Sequence, residues 1–355
     1  MTWTSLEKIE IELSGDCNAA CPLCPRTEAN LPLKGNGNHT LEDVKRSFGH
    51  LVPKFQEAEF EIALYGLGGD PVLNPECYEI TKWFTENGAK IIISTNGGYQ
   101  TVEWWEKMAA LTNTRVKWAV DGGPQTNHIY RVNVVWNTVM RNMEAFMNAG
   151  GTGSWVFIPF DHNMDDFDFA RSTADRLGMN FESKTSGRNA LHEGSQVKKS
   201  KSKKDTTTVT LQEVEDKEYN HEDLSELKEI RRQQDRKIEG KEFNNEVLVK
   251  AATTVKCKAI DGKEVYVSNK SELYPCCHLH DDIDFARVYD FGKDMPKGWN
   301  DIRKHSINDI IKSAPFSELE DRWNPDHKLH VPRCVSTCGS NAAYIPNTKL
   351  LDKKS

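Results

Sequence analysis

Residues 60–98, FEIALYGLGGDPVLNPECYEITKWFTENGAKIIISTNGG, place a strand, a helix and a second strand in succession. The apolar runs FEIALYGLGG and AKIIISTNGG have strand length, whereas CYEITKWFTENG repeats its apolar residues at helical spacing and closes on a glycine suited to a helix C-terminus. The same alternation runs outward on both sides. KIEIELS and TLEDVKRSFGHLVPKF precede it; TVEWWEKMAAL, RVKWAVDGG, NVVWNTVMRNMEAFMNAGG, SWVFIPF, DDFDFARSTADRLGM and NFESKTS follow. These make six strand-helix steps. Short apolar strands separated by amphipathic helices predict an α/β fold with a parallel sheet and helices outside it, and six repeats fit a partial (β/α)6 barrel better than an open two-sided sheet.

In such sheets ligands gather at the carboxyl ends of the strands. Four distinctive loops fall there. After the first strand comes ELSGDCNAACPLCPR (residues 12–26), with Cys17, Cys21 and Cys24; after the second GGDP (Gly68, Gly69, Asp70, Pro71); after the third TNGG with Asn96; after the fourth DGG with Asp121. Alone, GGDP is a turn, Asp121 a turn or cap carboxylate, and Asn96 a left-handed turn residue. Their common placement gives them weight.

The 355 residues are long enough for a large core, with 28% charged and 37% hydrophobic residues. No apolar run has the length of a membrane span, and MTWTSLEKIEIEL lacks the order of a signal peptide, so a cytoplasmic, membrane-free protein is expected. Its nine cysteines should then stay reduced, and clustered thiols read as metal-binding or catalytic rather than as disulfides. A net charge of −7 gives no electrostatic reason to expect nucleic acid. Residues 1–190 are read as the barrel, 191–250 as a charged linker or insertion, and 251–355 as a cysteine-bearing extension. The front of the charged segment reads as a mobile connection and HEDLSELKEIRRQQDRKI as a solvated helix.

Thiolates three and two residues apart on a loop leaving a buried strand suit one soft metal centre. Structural zinc prefers four closed ligands, and no fourth cysteine or histidine lies nearby in sequence. An iron-sulfur cubane on three thiolates would keep one iron free for a small molecule.

Cys17-x3-Cys21-x2-Cys24 directly after the first strand of a six-step β/α chain resembles the signature of the radical S-adenosylmethionine superfamily, over roughly residues 7–190. GGDP resembles that family's GGEP turn, whose backbone meets the amino end of the cofactor's methionine. STNG (residues 94–97) and VDGG (residues 120–123) resemble the strand ends that face its ribose and carboxylate, and HIYR resembles the basic position after DG, here Arg131. Leu23 stands where many members carry an aromatic residue and would pack on adenine. The resemblance implies a [4Fe-4S] cluster on Cys17, Cys21 and Cys24, bound S-adenosylmethionine, a 5′-deoxyadenosyl radical as hydrogen abstractor, and a flavodoxin- or ferredoxin-type reductant. The alternative is a non-enzymatic iron-sulfur, zinc-binding or electron-carrying protein on the same scaffold.

The C-terminal cysteines resemble the SPASM and Twitch extensions of that superfamily. Cys257 and Cys276 flank a predicted hairpin, and Cys334 and Cys338 would point the same way from adjacent turns of a helix. Five cysteines fall short of the seven of a full SPASM pattern, so the resemblance implies one auxiliary [4Fe-4S] cluster on Cys257, Cys276, Cys334 and Cys338. A zinc ribbon on the same four is the other reading. Only one of Cys276 and Cys277 faces a common centre from an extended segment, and Tyr274-Pro275-Cys276 matches the family register. His278 and His280 read as surface or supporting residues, and Ser271 stands where the family's hairpin commonly has glycine. The substrate is expected to be a small molecule or a peptide side chain. The chain starts almost at its first strand, without room for a peptide-binding domain before it, which leans toward a small molecule or a substrate delivered by another protein.

Overall fold

The computed structural model describes residues 6–22, 24–28, 31–58, 60–183, 196–198, 208–210, 255–280, 291–292, 294–324, 326–331, 334 and 338. Six parallel neighbours carry the first half: β1 (Lys8–Glu12), β2 (Glu61–Tyr65), β3 (Lys90–Thr95), β4 (Thr114–Ala119), β5 (Thr152–Phe157) and β6 (Asn180–Ser183). Between them run α1 (Pro25–Glu28), α2 (Leu41–Phe48), α3 (Val52–Phe55), α4 (Cys77–Glu86), α5 (Val102–Ala109), α6 (Asn127–Tyr130), α7 (Trp136–Asn148) and α8 (Phe167–Arg176). The sheet does not close on itself, as a partial barrel requires.

Strand alternation explains the layering. Ile9, Ile11, Ile62, Leu64, Ile91, Ile93, Val116 and Trp118 turn to one face and pack in the main core with Phe48, Phe84 and Trp105 from the helices. The other face is polar: Lys8 meets Glu61 at 3.6 Å, Glu10 meets Lys258 at 3.0 Å, and Lys117 meets Glu182 at 2.9 Å. One face of the parallel sheet is therefore a ladder of charges.

The C-terminal segment completes the sheet. β9 (Glu264–Val267) pairs parallel to β1, and β10 (Leu273–Tyr274) pairs antiparallel to β9, so the predicted hairpin extends the sheet beyond its first strand. Ser271 in its turn has φ 66°, the left-handed conformation that glycine adopts most readily. Serine here takes the left-handed conformation itself. After the hairpin, α9 (Ile307–Ile311) buries Ile307, Ile310 and Ile311. In the charged segment, β7 (Gln196–Lys198) and β8 (Thr208–Thr210) form an antiparallel pair where a plain connection was expected. The solvated helix predicted over 221–238 lies outside the described residues.

Thr40 caps α2 by accepting from the Asp43 amide at 3.1 Å, and Gly49 ends it with an ordinary helical φ of −57° and open space around its Cα. Gly49→Ala is expected to stabilise the protein by about 0.5–1 kcal/mol, because alanine loses less backbone freedom on folding. Urea unfolding would read this as a raised midpoint at constant slope.

Candidate functional site: three thiols and the turns that meet them

The chain leaves β1 through Leu13 into a loop fixed by backbone bonds to distant segments. The Cys17 amide donates to Leu33 O at 3.0 Å, the Ala20 amide to Val132 O at 3.0 Å, and the Cys24 amide to Cys21 O at 3.1 Å before α1 begins. Each thiol then meets a different strand end. Asn96 Nδ2 lies 3.8 Å from Cys17 Sγ, Arg131 Nη1 lies 3.6 Å from Cys21 Sγ, and Cys24 Sγ lies 3.9 Å from Leu67 O. Three cysteines from one loop thus sit against the exits of β3 and β2 and the C-terminal end of α6, in the connection that follows β4.

GGDP docks on the β1 exit from the side. The Asp70 amide donates to Asp16 O at 2.7 Å, and Gly69 lies so close to Ser14 that a Cβ there would fall 1.7 Å from its carbonyl oxygen. Asp70 is buried and accepts from Thr95 Oγ1 at 3.0 Å and from Asn96 through both its amide nitrogen (2.8 Å) and Nδ2 (2.7 Å). Pro71 opens the short turn that Asp70 caps. Asp121, also buried, accepts from the Ile158 amide at 2.7 Å and pairs with Arg131 Nη2 at 2.7 Å. Both carboxylates are taken up by protein partners and orient Asn96 and Arg131 toward the thiols. Gly97, not Asn96, takes the left-handed conformation in TNGG. Leu23 lies outside the described residues.

Burial pushes Cys17 far above the ordinary thiol value, with the Asp70 carboxylate and the neighbouring thiols adding to it. Burial also pushes Cys21 up to about 11, against the pull of Arg131. Burial opposes the charge on Arg131, yet Asp121 and Cys21 hold its guanidinium above its usual value. Buried soft donors with a neighbouring cation suit an iron-sulfur group, which takes thiolates. Among the described residues, no three His, Cys, Asp or Glu side chains crowd around one point closely enough for a single metal ion.

A second gathering of thiols lies beside the hairpin. Cys257, Cys276, Cys334 and Cys338 line one cavity, together with His278 and Leu319. The Lys256 amide donates to Cys338 O at 3.0 Å, and Cys334 and Cys338 both have helical backbone. Cys277 does not line this cavity; Glu10 and Lys258 act on its thiol instead. His280, expected either at the surface or in a supporting position, is buried with its ring 5.7 Å from that of Tyr266 and 5.2 Å from that of Tyr274.

Sequence reading did not single out Glu12, Arg26 or Tyr266. Glu12 accepts from the Gly68 amide at 2.6 Å and from Tyr266 Oη at 2.8 Å. Arg26 is buried, has no carboxylate partner among the described residues, and donates to the carbonyls of Gly68 (2.7 Å), Gly15 (3.1 Å) and Pro32. The position of Arg26 directly behind Cys24-Pro25 was the one available signal; Glu12, at an alternating position of KIEIE, carried none.

Residues 11–174 match the family model of the Radical SAM superfamily. Among curated proteins it is similar to the AdoMet-dependent heme synthases of Methanosarcina barkeri, 27% identical over 118 residues, and Nitratidesulfovibrio vulgaris, 28% identical over 117 residues. Each match covers 33% of this chain, and the chain spans only 32% and 30% of those two proteins. Among solved structures it resembles SuiB of Streptococcus suis, with a TM-score of 0.55 at 13% identity over 89% of this chain and 68% of that one. SuiB bound to its precursor peptide SuiA gives a TM-score of 0.56 at 11% identity, over 89% and 66% of the two chains. At that identity the likeness is one of fold. No helix among the described residues is long and apolar enough to cross a membrane.

Proposed function

We propose that this protein is a radical S-adenosylmethionine enzyme that modifies or oxidises a small molecule or a peptide side chain, with an auxiliary [4Fe-4S] cluster in its C-terminal segment. The observation that carries the reading is the convergence of Cys17, Cys21 and Cys24 with Asn96, Arg131 and the Gly68–Pro71 turn at the carboxyl ends of four adjacent strands. When bound there, a cubane and S-adenosylmethionine supply one-electron reduction and carbon-sulfur cleavage, leaving a radical that abstracts hydrogen.

The protein's own part is placement and exclusion. Cys17, Cys21 and Cys24 would hold the cluster through their three thiolates. Asn96, fixed by Asp70, and Arg131, fixed by Asp121, direct donors at two of the thiol sulfurs, where they offset thiolate charge. The Gly68–Pro71 turn offers backbone groups to the cofactor's amino end, while Asn96, Asp121, Arg131 and Leu23 are assigned to its remaining parts. The buried walls keep water from the radical. The cavity lined by Cys257, Cys276, Cys334 and Cys338 supports the auxiliary cluster and favours Cys276 over Cys277. Similarity to heme synthases supports a small-molecule substrate, and likeness to peptide-bound SuiB supports a peptide one. The electron would come from a flavodoxin- or ferredoxin-type donor.

Anaerobically reconstituted, reduced protein is expected to form 5′-deoxyadenosine and methionine from S-adenosylmethionine. Cys17→Ala, Cys21→Ala and Cys24→Ala should each fall to background with the fold retained. Full cleavage in any one of them would sink the assignment. Iron should stand at about eight per chain and drop to about four when Cys257, Cys276, Cys334 and Cys338 are all replaced by alanine, as two cubanes and one require. About four irons in both proteins, with zinc lost from the variant, would make the C-terminal thiols a structural clasp.

A further inference from the structure

Gly68 is gripped through both of its backbone groups by two buried, oppositely charged side chains that flank the cysteine loop in sequence. Glu12, 0% exposed, accepts from its amide at 2.6 Å; Arg26, 1% exposed, donates to its carbonyl at 2.7 Å. Glu12 belongs to β1 and Arg26 to α1, so the strand before Cys17 and the helix after Cys24 clamp the same residue of the GGDP turn from its two sides. The second oxygen of Glu12 takes the Tyr266 hydroxyl at 2.8 Å, and Tyr266 lies on β9, more than 250 residues along the chain. The backbone amide of Asn269, in the turn after β9, faces the same carboxylate. Further contacts seat this turn: Asn269 Nδ2 donates to Asn36 O at 2.6 Å, and His39 Nε2 meets Ser268 O at 2.9 Å.

We propose that Glu12 is a positioning residue through which the C-terminal hairpin sets the GGDP turn: the Tyr266 hydroxyl and the Gly68 amide share its carboxylate, so the hairpin tunes S-adenosylmethionine affinity from outside the cofactor site. The physical reason is the low dielectric around a fully buried carboxylate, where each donor holds the charge and orientation that the other one needs. Without Tyr266 Oη, one oxygen of Glu12 loses a charge-assisted hydrogen bond, and the carboxylate is free to turn away from Gly68. The affinity arm rests on the function proposed above, whereas the mechanical arm does not.

Tyr266→Phe removes only the hydroxyl. In the cluster-free full chain, hydrogen exchange at the Gly68 amide is expected to quicken about tenfold, equivalent to about 1.4 kcal/mol. In the reconstituted protein the Kd for S-adenosylmethionine should rise about tenfold, while iron per chain and the cleavage rate at saturating cofactor stay within about twofold of wild type. Glu12→Gln keeps an acceptor for Gly68 and a partner for Tyr266, and should restore most of the binding lost in Glu12→Ala. Adding Tyr266→Phe to Glu12→Ala should change nothing further, because the hydroxyl acts only through the carboxylate. Wild-type exchange and binding in Tyr266→Phe, or additive effects in the double variant, overturn the proposal. A wild-type protein that loads iron but binds no S-adenosylmethionine defeats the functional reading alone, and the exchange result still decides the coupling.

Discussion

If Cys17, Cys21 and Cys24 hold a cubane as proposed, Gly69→Ala is expected to cost the protein about four irons per chain, the content of one such cluster. A Cβ at this position would sit 1.7 Å from the carbonyl oxygen of Ser14 and 2.6 Å from its carbonyl carbon. These are backbone atoms and cannot rotate aside. Nor can the two segments part easily, because the Asp70 amide donates to Asp16 O at 2.7 Å on one side and the Gly15 amide to Gly37 O at 2.8 Å on the other. Forcing a methyl group into a packed contact typically costs about 1–3 kcal/mol, and here the displaced atoms open the loop that carries the first cysteine. Iron and sulfide analysis after anaerobic reconstitution, beside urea unfolding, reads both effects. Full iron with an unchanged unfolding midpoint would mean that the turn is not docked on the loop as tightly as this contact requires.

The strand-helix rhythm was legible because each step carries its own local period. The structure places strands within all six predicted runs and sets the cysteine loop, GGDP, TNGG and DGG at their carboxyl ends. What joins those loops was not legible. Glu12 occupies an alternating position in KIEIEL, where sequence pattern alone reads it as solvent-facing, yet it is fully buried between Gly68 and Tyr266. Arg26 reads as an ordinary surface cation and is instead buried against three carbonyls. Both escape because their partners are backbone groups or come from far along the chain, and no local period records such pairings. The β1–β9 pairing is of the same kind: EVYV signals a strand, but nothing in it names the neighbour. The preference for Cys276 over Cys277 rested on motif register, and the cavity lining is consistent with it.

Arg131→Met is expected to be the most destabilising single change at the site that leaves the cysteines in place. Asp121 is fully buried, and its carboxylate is held by the Ile158 amide at 2.7 Å and Arg131 Nη2 at 2.7 Å. The Arg131 side chain is only 16% exposed and packs 5.3 Å from the Tyr130 ring, so water cannot readily replace it. Taking away one partner of a buried ion pair leaves an uncompensated charge and costs about 3–5 kcal/mol. Methionine fills much of the arginine stem's volume, so the loss is electrostatic rather than a cavity effect. Urea unfolding of the cluster-free chain should therefore show a drop of that size, and Asp121→Asn combined with Arg131→Met should recover part of it by removing the orphaned charge. Iron retention separates this stability effect from the role of Arg131 beside Cys21. In the double variant the fold regains stability, but Cys21 Sγ still lacks the guanidinium that lies 3.6 Å away in the native protein, so iron at the three-cysteine loop should stay below wild type. If iron returned with stability, Arg131 would serve Asp121 alone; if stability returned without iron, its charge is needed at the thiol.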